Sequence, residues 1–173
     1  MKVFGHKLWL FAAFVFLMTG VVSCVPRFTF TGTSIDYNVT KTIQIDKIAN
    51  RAPYGWAPME AMFNNKLQDK YVNQTRLQLV RRGGDLHVSG EIVAYDQYNK
   101  GVTGEGYSSQ VQLKLTVNIR FENQKKNQQW ERRFSATTQY ESTQQLSAVQ
   151  ERLVEEMIND ITDQIFNATV SDW

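Results

Sequence analysis

From Val111 to Phe121 the chain alternates without exception: Val111, Leu113, Leu115, Val117, Ile119 and Phe121 are apolar, and Gln112, Lys114, Thr116, Asn118 and Arg120 between them are polar. A period of two sustained this long belongs to a β-strand with one face on a core and the other in water. A one-residue slip would turn the whole apolar set outward. The chain must therefore build a sheet with one covered face and one open face.

The remaining segments supply the rest of that sheet and its cover. Thr42-Ile43-Gln44-Ile45-Asp46-Lys47-Ile48 alternates as a first strand, and Asn50-Arg51-Ala52-Pro53-Tyr54-Gly55 breaks it. Residues 76–80 form a short strand, Arg81-Arg82-Gly83-Gly84-Asp85 a turn, and residues 86–95 a longer strand with Leu86, Val88, Gly90, Ile92 and Ala94 on one face. In the last strand Trp130, Phe134, Ala136 and Tyr140 point inward, and Arg132 among them marks a sheet edge.

Pro58 suits the first position of a helix in which Met59, Met62, Phe63, Leu67 and Tyr71 make the apolar stripe. Ser147 with Gln150 reads as a capping box opening a second helix. Its stripe is Val149, Leu153, Met157, Ile158, Ile161 and Ile165, and Glu151, Glu155, Glu156, Asp160 and Asp163 fill its solvent side. The order β-α-β-β-β-β-α predicts an α+β fold, with two helices packed on one face of a mostly antiparallel sheet of four to five strands.

The N-terminus is an address. Residues 1–7 carry Lys2 and Lys7, residues 8–22 are largely apolar, and the only cysteine follows at Cys24. Fifteen residues fall short of the roughly 20 that a helix needs to cross a bilayer. Val21-Val22-Ser23-Cys24 resembles a bacterial lipobox, which implies cleavage before Cys24, a diacylglycerol thioether on its sulfur and an N-acyl chain on its new amino group; the alternative is an ordinary secretory signal with an incidental cysteine, which the placing of the lone thiol just after the apolar core disfavours. Three chains exceed what stable anchoring to a membrane surface requires. The expected organisation is a signal peptide over 1–23, a lipid-anchored tether over 24–40 and one α+β domain over 41–173. The absence of Asp beside the cysteine, in Val25-Pro26-Arg27, resembles lipoproteins sorted to the outer membrane.

Removing Lys2 and Lys7 leaves the mature chain with seventeen basic and seventeen acidic residues. A neutral chain gives no support to nucleic-acid binding by phosphate neutralisation. His87 is the single histidine of the mature chain, on the polar face of a strand, and a lipidated Cys24 leaves no free thiol, so a structural zinc site lacks ligands; a nucleophile-base pair would need His87 to meet Ser89 and Glu91, which share its strand face and point alongside it rather than at it. Gly101-Val102-Thr103-Gly104-Glu105-Gly106 lacks the glycine order of a dinucleotide fingerprint and reads as a hairpin loop. The remaining asymmetry is basic: Lys114, Arg120 and Arg133 on the open face and Lys125-Lys126 in a turn could meet phosphate or carboxylate groups.

Several stretches carry a family likeness: Cys24 with Phe28-Thr29-Phe30-Thr31-Gly32, Asn50-Arg51-Ala52-Pro53, the run from Leu67 through Asn73-Gln74-Thr75 to Val80, Gly84-Asp85-Leu86-His87-Val88-Ser89-Gly90, and the tail Ile165-Phe166-Asn167-Ala168-Thr169 to Trp173. In this order and spacing they resemble the LPS-assembly lipoprotein family (LptE-like) in its Bacteroidetes-type form. The resemblance implies the same two-helix fold and a non-enzymatic role without cofactors. It also implies partnership with an LptD-like outer-membrane β-barrel, whose lumen the domain would plug and whose assembly it would assist, and delivery of lipopolysaccharide or lipooligosaccharide to the cell surface. No family motif marks the glycolipid contacts, for which Lys114, Arg120, Lys125, Lys126 and Arg133 are the candidates. Two readings of other classes stand beside it: a scaffold lipoprotein of another envelope complex, such as a secretin or barrel-assembly accessory, and a periplasmic hydrolase, which the single histidine disfavours.

Overall fold

The computed structural model describes residues 35–100 and 110–170. The signal segment, Cys24, most of the tether and the glycine loop at 101–106 lie outside the described residues. Strands β1 (Thr42–Ile45), β2 (Ala49–Asn50), β3 (Gln78–Val80), β4 (Leu86–Lys100), β5 (Gln110–Asn123) and β6 (Gln128–Glu141) form one sheet, ordered β3-β1-β4-β5-β6 with β2 beside β4. Helix α1 (Pro58–Gln74) lies between β2 and β3 in sequence, and α2 (Leu146–Val170) closes the chain. The α+β architecture expected from the sequence is the one found.

All six apolar positions of β5 are buried, with Leu113, Leu115, Val117 and Ile119 at 0% exposure. They form one layer with Met59, Phe63, Leu67 and Tyr71 of α1 and Leu153, Met157, Ile158, Ile161 and Ile165 of α2. Truncating one such side chain to Ala removes about 2–5 kcal/mol. Pro58 opens α1 as expected. Helix α2 starts one residue before Ser147, so Ser147 is not its cap, and Gln150 instead donates to the Tyr95 hydroxyl at 3.2 Å.

The sheet is mixed. Strands β4, β5 and β6 form an antiparallel meander, but β1 runs parallel to both β3 and β4. Residues 81–85 are thus no hairpin turn: they carry the chain across β1 from one of its edges to the other. Val80 sits level with Gln44 and Leu86 level with Ile43, so five residues suffice. The crossing presses on the β1 backbone, since a Cβ on Gly84 would stand 2.4 Å from the Gln44 amide nitrogen and 2.7 Å from the Leu86 carbonyl oxygen.

A second departure lies in β4, where the register against β5 shifts between Ile92 and Ala94. The extra residue reverses which side chains face the core, so Tyr95 is buried and Ala94 is not in the inward set. The first strand is also shorter than its alternation suggests. It ends at Ile45, and Ile48 is held instead by Asn64 of α1, whose Oδ1 accepts the Ile48 N–H at 2.8 Å while its Nδ2 donates to the Ile48 carbonyl at 2.9 Å. The amide takes the place of a neighbouring strand for that residue. Arg132 does lie on an edge strand, β6, and its guanidinium stacks 4.9 Å from the Trp130 ring centroid.

Candidate functional site: the open sheet face and its basic turn

Cross-strand register defines the open face. Across β4, β5 and β6 its rows read His87, Glu122 and Gln129; Ser89, Arg120 and Glu131; Glu91, Asn118 and Arg133; and, beyond the bulge, Asp96, Lys114 and Thr137. The alternation that buries one face of β5 sends these side chains to the other.

The candidate cations are spread over this face. Arg120 and Arg133 are diagonal neighbours, roughly 7–8 Å apart along the backbone. Arg120 is matched by Glu131, with Nη2 to Oε2 at 2.9 Å, and the Asn118 amide donates to Glu131 Oε1 at 2.6 Å. These two groups, the Asn118 bond first, hold the Glu131 carboxyl below its ordinary range. Lys114 lies six residues along β5 from Arg120, roughly 20 Å away, and pairs in register with Asp96 and Thr137.

Lys125 and Lys126 occupy the β5–β6 turn. The Asn123 side chain shapes that turn by accepting both backbone N–H groups, at 3.0 and 3.1 Å, and Asn127 completes it with a positive φ of 50°. Lys125 reaches back to Asp85 Oδ1 at 3.1 Å. Sequence reasoning did not single out Asp85, although it is the anchor of this corner. Its Oδ2 accepts the N–H groups of Lys41 and Thr42, and its own N–H donates to the Thr42 hydroxyl at 2.9 Å. These bonds, the one from Lys41 foremost, hold its carboxyl down at about 2.

His87 is more engaged than a plain surface residue. Gln44 fixes the neighbourhood: its Oε1 accepts the Gly83 N–H at 2.9 Å and its Nε2 donates to Asp46 Oδ1 at 2.8 Å. His87 Nε2 then lies 2.8 Å from Asp46 Oδ2, and Nδ1 lies 3.7 Å from Glu122. The Gln44 bond is the main reason the Asp46 carboxyl is lowered, with His87 adding to it against the effect of burial. The two carboxylates address opposite ring nitrogens and so cannot converge on one ion. Among the described residues no group of three His, Cys, Asp or Glu side chains is arranged to hold a metal, and no helix is long and apolar enough to cross a membrane.

Comparison with known proteins agrees with this architecture. Rare lipoprotein B from Shewanella oneidensis superposes with a TM-score of 0.54 at 12% identity, covering 72% of this chain and 92% of its own. A Xanthomonas campestris protein superposes with a TM-score of 0.55 at 13% identity, covering 76% and 85%. At such identities the likeness is one of fold. No curated protein matches the sequence. The LptE lipopolysaccharide-assembly family model matches residues 40–169, which is the whole helix-covered sheet. The chain belongs to the LptE lipopolysaccharide-assembly family.

Proposed function

We propose that the protein is an outer-membrane lipoprotein of lipopolysaccharide transport, anchored by acyl groups on Cys24, that plugs and assists the assembly of an LptD-like β-barrel and helps deliver lipopolysaccharide or lipooligosaccharide outward. It works by binding, with no reaction of its own and no cofactor. The family match over residues 40–169 carries this reading. The polar open face supports it, since a broad sheet surface of Ser, Asn, Gln and Thr with paired charges suits a water-filled barrel lumen. The short tether after Cys24 keeps the domain close to the membrane that holds the barrel.

Lys114, Arg120, Lys125, Lys126 and Arg133 are the proposed contacts to glycolipid phosphates. Lys125 and Arg120 already serve Asp85 and Glu131, so a phosphate would join existing charge pairs at these two. The test is recovery of the tagged, lipidated protein from outer membranes in mild detergent. A large β-barrel in roughly equal amount is the expected result. A different envelope complex in its place would favour the scaffold reading and overturn this one.

A further inference from the structure

A cavity of about 600 Å³ opens at the end of the sheet where α2 begins, within the size range of small-ligand sites. Tyr54 and Trp56, from the segment leading into α1, line it with Tyr95 from the covered face of β4 and Asp96 and Tyr98 from its open face, at the stretch of β4 beyond its pairing with β2 at Ile92, and Leu113, Leu146 and Gln150 line it as well. The bulge at Ile92/Ala94 creates it in part, because it turns Tyr95 inward beneath the start of α2. Two lining tyrosines are strongly exposed for aromatic residues, Tyr54 at 79% and Tyr98 at 49%.

The lining has a definite chemistry. Flat aromatic faces accept the C–H faces of a pyranose ring, and carboxylate and amide groups at their margin bind its hydroxyls. Here Asp96 accepts the Tyr98 hydroxyl at 3.2 Å and keeps lone pairs for further donors, and Gln97 and Gln150 supply amides. Among the described residues no Lys, Arg or His lines the cavity, and Lys114, the cation across the strand from Asp96, already faces that carboxylate, so the lining does not favour an anion. An acyl chain would strip water from Asp96 and the two amides without replacing their hydrogen bonds.

We propose that this cavity binds a neutral sugar residue. The inference rests on the glycolipid reading above and narrows it, assigning the uncharged sugar portion of the glycolipid to this end of the domain and its phosphates to the basic residues. The full lipidated protein, held in a detergent without sugar groups, is titrated with oligosaccharide freed from lipopolysaccharide by mild acid and then dephosphorylated. Binding is read by saturation-transfer NMR and tryptophan fluorescence. Saturable binding that Tyr54→Ser and Asp96→Asn each weaken by at least about tenfold is expected. Tyr54 is too exposed for its loss to unfold the domain, and an unchanged melting curve checks this. No saturable binding, binding undiminished in both variants, or displacement of the sugar by palmitate overturns the proposal. A barrel recovered normally with no sugar bound sinks this inference alone; sugar bound with no barrel recovered supports it and sinks the transport reading.

Discussion

The Asp85 carboxylate accepts the backbone N–H of Lys41 at 2.8 Å across forty-four positions of sequence, fastening the start of β1 to the start of β4. The same oxygen takes Thr42 N–H at 3.0 Å, and Lys125 closes the other side. Hydrogen bonds to a charged acceptor contribute about 1.5–3 kcal/mol. Asp85→Ala should therefore lower stability by about 2–3 kcal/mol, measured by urea denaturation. The pH dependence has a definite sign. The folded carboxyl lies at about 2 against an ordinary 3.8, so its contribution is complete above pH 4 and is lost as pH falls toward 2. Asp85→Asn should flatten the stability profile in that window, and a profile identical to the parent would show that the anchor is not what loses stability there.

Gly83 and Gly84 are adjacent but should respond differently to alanine. Gly83 has a φ of 71°, and an added methyl would find nothing within 4 Å, so Gly83→Ala meets only the left-handed penalty of about 1–2 kcal/mol. Gly84→Ala places a carbon 2.4 Å from the Gln44 nitrogen, and backbone must move to admit it. Its cost should exceed that of Gly83→Ala by about 2 kcal/mol or more, with disruption centred on β1 in hydrogen exchange. Equal effects would mean that the crossing does not depend on close approach.

Local pattern and long-range pairing divide what the sequence could disclose. The faces of β5, α1 and α2 follow from spacing alone, because each apolar stripe is set by the period of its own element. Strand direction is not local: five residues with two glycines look like a hairpin turn, and only the register of β1 against both β3 and β4 shows a crossing. The bulge that exchanges Ala94 for Tyr95 leaves no mark in the alternation before it. Of the candidate site, the basic residues were legible as an asymmetry of charge. Their carboxylate partners were not, since Asp85 lies forty positions before Lys125 and Glu131 reaches Arg120 across a hairpin.

Tyr71 and Thr169 tie the ends of α1 and α2 at 2.5 Å between hydroxyl oxygens, and Lys70, next to Tyr71, pairs with Asp163 of α2. Thr169 has one proton and two helix carbonyls at 3.0 Å to receive it, Ile165 and Phe166, so Tyr71 is the donor. Burial pushes the Tyr71 hydroxyl well above its ordinary range. Thr169→Val should cost about 1–3 kcal/mol by leaving that hydroxyl without an acceptor. Tyr71→Phe should cost less, and the double variant about as much as Tyr71→Phe alone. Additive losses in a double-mutant cycle would contradict the bond between the two hydroxyls.

The basic candidates divide by whether their charge has a structural duty. Arg120→Glu and Lys125→Glu each set a carboxylate against one already present, Glu131 or Asp85, so a loss of glycolipid binding in either would be mixed with a loss of stability. Among the described residues Lys114 and Arg133 have no ion-pair partner, and both project from the open face. Neutralising these two together removes positive charge without setting a carboxylate opposite Asp96, which faces Lys114 in register, so folding should be little affected. The double variant Lys114→Gln, Arg133→Gln should keep the parent melting temperature and bind lipopolysaccharide about tenfold more weakly at low salt. The difference should shrink as ionic strength rises and screening shortens the reach of exposed charge. Parent-level binding at low salt would remove both residues from the phosphate site and leave the turn at Lys125 and Lys126 as its remaining location.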